Sequence, residues 1–193
     1  MNFNHFSKNL FFRCIGIIIS PKVEWIKIKD EDVSFFKLIT DFLLPLLLIV
    51  VVVSIIGGYI KIAGNVFSWN MLIVSGLKPF LSLLISILVG IPAINAMIKT
   101  FGGTPKVILA SKLVVYSYLP GILVVLVIGI APQFFITGLF FLYSFYIIFH
   151  GTPVLLNIPF ERQSNFSTLS STTILIIYLI ISFVISSMFE AIQ

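Results

Sequence analysis

Residues 42–60 read FLLPLLLIVVVVSIIGGYI, nineteen consecutive positions without Asp, Glu, Lys or Arg, closed by Asp41 on one side and Lys61 on the other. A helix rises about 1.5 Å per residue, so a run of this length covers the ~30 Å hydrocarbon layer of a bilayer. The fold class turns on whether the rest of the chain repeats it, and it does. Residues 79–98 give twenty uncharged positions between Lys78 and Lys99. Residues 113–160 give 48, enough for two spans joined at GIAPQ, where Gly129 and Pro132 interrupt the helical pattern. Residues 163–189 supply a fifth. The stretch 62–77 holds Asn65, Ser68, Asn70 and Ser75 and reads as a loop, with Trp69 dipping into the headgroup layer. Over all 193 residues the chain is 59% hydrophobic and 10% charged, and its mean hydropathy is +1.17. An all-α integral membrane protein with five transmembrane helices is expected.

Lys and Arg resist translocation in short loops, so their placement orients the spans. Lys8, Arg13, Lys22, Lys27, Lys29 and Lys37 precede the first span, Lys99, Lys106 and Lys112 fall between the second and third, and Arg162 lies between the fourth and fifth. That is ten cations on one side, against Lys61 and Lys78 on the other. The N-terminus is therefore expected in the cytoplasm and the C-terminus outside, as in a bacterial cytoplasmic membrane. The formal charge of +5 suits a leaflet carrying anionic lipid and calls for no nucleic acid.

Residues 1–39 read as a cytoplasmic, amphipathic, interfacial segment, and residues 40–190 as the transmembrane domain. Phe3, Phe6, Leu10, Cys14 and Ile17 recur at spacings of three and four, one helical stripe with Lys8 and Arg13 off it. Such a helix lies in the membrane interface or packs against the bundle. Ser20-Pro21 restarts a helix, serine as cap and proline at its first position, before KVEWIKIKDED with Trp25 among lysines. The run CIGIII after Arg13 is too short for a signal peptide and lacks a small-x-small cleavage site. The one cysteine, Cys14, forms no intrachain disulfide.

Within the spans, Ser82, Ser86, Gly90, Ala93 and Ala96 form a stripe of small residues that lets another helix approach closely. Ser117 with Gly121 and Ser182 with Ser186 repeat the pattern on a shorter scale. No cofactor, metal centre or catalytic set is expected. Zinc chemistry needs several ligands at matched spacing, and the chain offers His5, His150 and Cys14. FGGTPK at 101–106 lacks the G-x-x-x-x-G-K-[ST] of a phosphate loop, and His150 has no evident nucleophile to activate. Thr104 instead reads as the cap of the third span and Pro105 as its first residue. Lys112 then stands near the cytoplasmic mouth, Tyr116 and Tyr118 belong to an interfacial aromatic belt, and Pro120 kinks the helix. Asp41 and Lys112, at the same ends of spans one and three, either pair with each other or reach water separately.

SPKVEWIKI, DFLLPLLLI, FGGTPKVILASKLVVYSYLP and FLYSFYIIFHGTPVLLNIP, in this order and spacing, resemble the bacterial branch of the Yip1 family of five-span membrane proteins. The resemblance implies five helices, a cytoplasmic N-terminus and an outside C-terminus. It marks Gly102, Gly103, Thr104, Lys112, Tyr116, Tyr118, Pro120, Tyr143, Tyr146, Gly151 and Pro153 as signature positions, and it supplies no catalytic residues. Eukaryotic relatives are associated with vesicle trafficking, membrane shaping and binding of prenylated small GTPases. The longer N-terminal region and D-L-Y-G-P segment of those relatives do not stand here, so GTPase binding is not carried over. The expected role is non-enzymatic organisation of membrane or protein assemblies, with the lipid bilayer, further copies of the chain or other membrane proteins as partners. The alternative is a small oligomeric transporter or channel for an ion, lipid or small solute.

Overall fold

The computed structural model describes residues 3–62 and 69–192. Its elements are α1 (Phe3–Ile19), α2 (Pro21–Asp30), α3 (Phe35–Leu38), a π-turn (Ile39–Leu43), α4 (Leu44–Ile62), α5 (Trp69–Thr100), α6 (Val107–Ser117), α7 (Leu119–Ile130), a 3-10 segment (Pro132–Leu142), α8 (Tyr143–Leu155) and α9 (Phe160–Ile192). Five stretches are long and apolar enough to cross a bilayer: Phe35–Ile60, Asn70–Thr100, Val107–Ile130, Gln133–Leu155 and Phe160–Ala191. The architecture is thus all-α, five-span and multi-pass.

Proline chemistry shapes three of the spans. Pro45 has no N–H for the carbonyl of Asp41, and there the helix widens so that Leu44 N–H bonds Ile39 instead. In the third span the expected kink is present: α6 gives way at Tyr118, two residues before Pro120, and α7 begins. The fourth span starts in 3-10 geometry after Pro132 and becomes α-helical at Tyr143.

Two boundaries differ from expectation. Residues 69–77 are not loop, because α5 starts at Trp69 and lengthens the second span at its N-terminal end; residues 63–68 and the side chain of Trp69 lie outside the described residues. Thr104 does not cap α6. α5 ends in a Schellman motif, in which Gly103 N–H bonds the Ile98 carbonyl at 3.0 Å and Gly102 N–H bonds that of Lys99 at 3.1 Å. Gly102 adopts φ 84° there, a left-handed conformation that disfavours side chains. The chain then runs extended to Lys106, which occupies the cap position. That spacer lets α6 begin where its buried face, Ala110 to Ser117, enters the bundle.

α5 packs between α4 and α9, α4 also meets α7, and α8 meets α9 and α2. The small-residue stripe sits in this interior: Ser82 and Ser86 are buried and donate to the Lys78 and Ser82 carbonyls of their own helix at 2.8 and 2.5 Å. Gly90 is buried with Val114 opposite, Ala93 is partly buried, and Ala96 faces outward, so the seam ends before it. Ser117 is buried, and Gly121 passes so near the Phe141 ring that a Cβ would overlap it. A close backbone approach joins α4 to α7, with the Gly129 carbonyl oxygen overlapping the position that a Gly57 Cβ would take. Gly151 makes room for Leu113 and the Trp25 indole, each 2.7 Å from where its Cβ would stand.

Candidate functional site

The N-terminal apolar helix is present, and its far end and α2 pack against the bundle rather than lying free along its edge. Trp25 is 1% exposed and its indole N–H donates to the Ile147 carbonyl in α8 at 3.0 Å. Tyr143 Oη donates at 2.7 Å to the Ile18 carbonyl, one of the acceptors left over where α1 stops. Tyr143 stands twelve residues before Leu155, the end of the fourth span, or about 18 Å along a helix axis. The corner at Ser20-Pro21 thus lies beside the middle of that span, and α1 with α2 forms a helical hairpin that enters the bundle from one end. Proline does begin α2, as its fixed φ favours, but the Ser20 side chain makes no capping bond. Phe11, Phe12, Ile19, Val23 and Ile26 are each more than half exposed on the hairpin's outer side.

What holds α2 in place is Lys112. Its ammonium is buried and donates to the carbonyls of Ile28 and Glu31, both at 2.7 Å. These belong to the unfinished C-terminal turn of α2, where carbonyls lack helical partners and the helix dipole is negative. Asp30, Glu31 and Asp32 add carboxylates around the same cation. Of the two alternatives open for Asp41 and Lys112, the mutual ion pair is not among the contacts of either side chain. Asp41 instead accepts from Thr40 Oγ1 at 2.8 Å, and Lys112 does not reach water. The reason is local: two backbone carbonyls fixed by α2 meet the ammonium at hydrogen-bond distance inside the bundle.

Tyr116 and Tyr118 likewise leave the expected aromatic belt, being 4% and 0% exposed. Tyr116 joins three elements, edge-on to Trp25 at 6.0 Å and to Phe42 at 4.6 Å between ring centroids. Tyr118 Oη donates to the Ile174 carbonyl of α9 at 3.3 Å. Of the later signature positions, Tyr146 is exposed and lies against the His150 ring, centroids 4.3 Å apart and planes tilted by 50°, while Pro153 lies exposed in α8.

Between the hairpin and the start of the first span lies a cleft of about 740 Å³ lined by Arg13, Glu24, Asp32, Lys37, Asp41 and Tyr116. Arg13 pairs with Glu24 at 2.6 Å and also with Glu31, and Lys27 pairs with Glu24 at 3.0 Å. Glu24 is buried, so its charge is tolerable only through these partners. Asp41 stands on the π-turn, a distortion frequent at functional sites. The cleft offers both signs of charge beside a phenol, a set suited to holding a charged group or a partner's polar segment. No cluster of three or more His, Cys, Asp or Glu able to hold a metal occurs among the described residues.

The five spans and the order of signature segments are matched from outside: the Yip1 domain family model covers residues 15–184. The chain belongs to the Yip1 family. No curated protein and no solved structure matches it. In this Yip1 domain the match begins at Ile15, inside α1, and ends at residue 184, so it takes in all of α2, the first four spans and most of the fifth.

Burial of Cys14 on the hairpin pushes its thiol from the ordinary 9.0 up to about 11, against the opposing pull of Arg13. At neutral pH its thiolate fraction falls about 100-fold below that of a free cysteine. Maleimide labelling of the detergent-solubilised protein should be correspondingly slow at pH 7.5 and accelerate as pH approaches 11. Because the folded thiol is the weaker acid, it contributes stability below pH 9 that is lost as pH climbs toward 11. Labelling at the free-thiol rate at pH 7.5 would show that the hairpin is not docked.

Proposed function

We propose that this Yip1-family protein is a non-enzymatic organiser of the bilayer, acting as a one-sided wedge. The observation that carries the reading is the docked hairpin. It adds two helices to one end of a five-span bundle, and its corner reaches only the middle of the fourth span. The protein is accordingly broader in one leaflet than in the other. The charge count supports a cytoplasmic position for that leaflet, where Lys22, Lys27 and Lys29, all exposed on α2, would meet anionic lipid. Exposed Phe11, Phe12 and Ile19 supply apolar surface for insertion among acyl chains. The charged cleft beside the hairpin is where further copies or other membrane proteins would engage.

Reconstitution into vesicles of mixed diameter containing anionic lipid tests this. The full chain should be enriched at least about twofold in the smallest vesicles, since insertion of a wedge expands one leaflet. A chain lacking residues 1–20, checked for helicity and monodispersity, should lose that preference. Curvature sorting or clustering that survives the deletion would refute the mechanism.

A second reading, transport of an ion, lipid or small solute by an oligomer, draws on one observation, a cleft of about 440 Å³ lined by Ser54, Lys78, Ser82 and Tyr178. Liposomes whose solute flux and lipid flipping both stay at background would count against it.

A further inference from the structure

The second cleft lies toward the opposite end of the third span from Lys112, enclosed by α4, α5, α7 and α9. Its polar wall is Ser54, Ser75, Lys78, Ser82, Tyr178 and Ser182. Lys78 closes the uncharged run 79–98 of the second span, and its side chain is 35% exposed, so the cation stands at the mouth of the cleft where the hydrocarbon layer gives way to headgroups. Its one ion-pair partner among the described residues, Glu190, stands at 3.7 Å and is mostly exposed on the last turns of α9, a long and weak pairing.

Donors dominate what remains. Ser75 and Ser82 give their protons to the Leu72 and Lys78 carbonyls, leaving the Lys78 ammonium and the hydroxyls of Ser54, Tyr178 and Ser182 on the wall that an incoming group would meet. Ser54 is 6% exposed and lies against Gly129, whose Cβ would stand 3.2 Å from Ser54 Oγ. Pro79 follows Lys78 inside α5 and, lacking an N–H, leaves the Ser75 carbonyl without its helical donor. We propose that this cleft is a binding site for a phosphate group, with Lys78 as its charged contact and Ser54 as its neutral donor. The site stands apart from the hairpin and does not depend on the wedge.

Thermal unfolding of the purified full chain, with three probes, tests the site: dihexanoyl phosphatidylglycerol, dihexanoylglycerol without phosphate, and inorganic phosphate. Protection by the phospholipid but not by dihexanoylglycerol or inorganic phosphate assigns the group to a lipid headgroup; equal protection by inorganic phosphate assigns it to a free anion. In either case Lys78→Gln should weaken the apparent affinity by about tenfold, the loss of one charge-assisted hydrogen bond. Glu190→Gln, which leaves the binding wall intact, should strengthen it by removing the competing carboxylate, and this serves if Lys78→Gln does not fold. Protection by neither phosphate compound, equal protection by dihexanoylglycerol, or affinities unchanged by the folded variants would overturn the proposal.

Discussion

Lys112→Met is expected to release the N-terminal hairpin from the bundle. Methionine has nearly the length of lysine and keeps the packing of α6, but it removes the donors that reach the Ile28 and Glu31 carbonyls. The Ile28 carbonyl is then left open in the last turn of α2, the Glu31 carbonyl keeps only the Val33 N–H at 3.1 Å, and the acidic run Asp30, Glu31 and Asp32 loses its buried counter-charge. Charge-assisted bonds contribute about 1.5–3 kcal/mol each, and a buried acceptor left unsatisfied costs on the order of 1–3 kcal/mol. The thermal midpoint in detergent should fall by several degrees, about 2–4 °C for each kcal/mol in a chain of this size. Labelling of Cys14 at pH 7.5 should speed up at the same time, because the hairpin that shields it opens. A variant whose midpoint and labelling both match the parent would mean that Lys112 does not hold α2.

Gly57→Ala is expected to be at least as damaging, for a steric reason. The added Cβ would overlap the Gly129 carbonyl oxygen and stand 2.7 Å from its carbon and 3.2 Å from Ile130 Cα. Backbone on both sides cannot rotate away, so α4 and α7 must separate. Overpacking ordinarily costs about 1–3 kcal/mol where side chains can adjust, and more where they cannot. Gly58→Ala meets the Ser75 side chain, with Oγ at 2.5 Å, which a rotamer change can relieve, and Gly138→Ala meets nothing within 4 Å. Thermal midpoints should fall in that order, Gly57 far below Gly58 and Gly58 below Gly138. Equal midpoints for Gly57→Ala and Gly138→Ala would refute the backbone contact between α4 and α7.

The five spans were legible because the hydrocarbon layer acts on each segment separately: a run of uncharged residues is costly in water and favourable in lipid whatever its neighbours do. The kink before Pro120 and the break at Gly129–Pro132 were legible too, since a missing N–H is a property of the residue itself. The same holds for the α1–α2 break, where the chain reads Ser20-Pro21. The start of the second span was misplaced because Asn70 and Ser75 look like loop residues in one dimension, yet Ser75 satisfies itself on the Leu72 carbonyl within the helix. The cap of α6 moved from Thr104 to Lys106 because the Schellman turn uses Gly102 and Gly103 to end α5 and leaves an extended spacer behind.

Class, span number, kinks and family membership were therefore determined by the sequence alone. Where Trp25, Lys112 and Tyr143 find their partners was decided only by the tertiary structure. Lys112 meets carbonyls 81 and 84 residues away, Trp25 one 122 residues away, and Tyr143 one 125 residues away. A lysine near a helix start or a tryptophan among lysines has the same local pattern whether it faces headgroups or a buried helix end. The difference lies in the acceptor, and the acceptors here are backbone carbonyls, which every residue carries and no residue type announces. Only assembly of α2 against α6 and α8 brings the unfinished helix end to the buried ammonium.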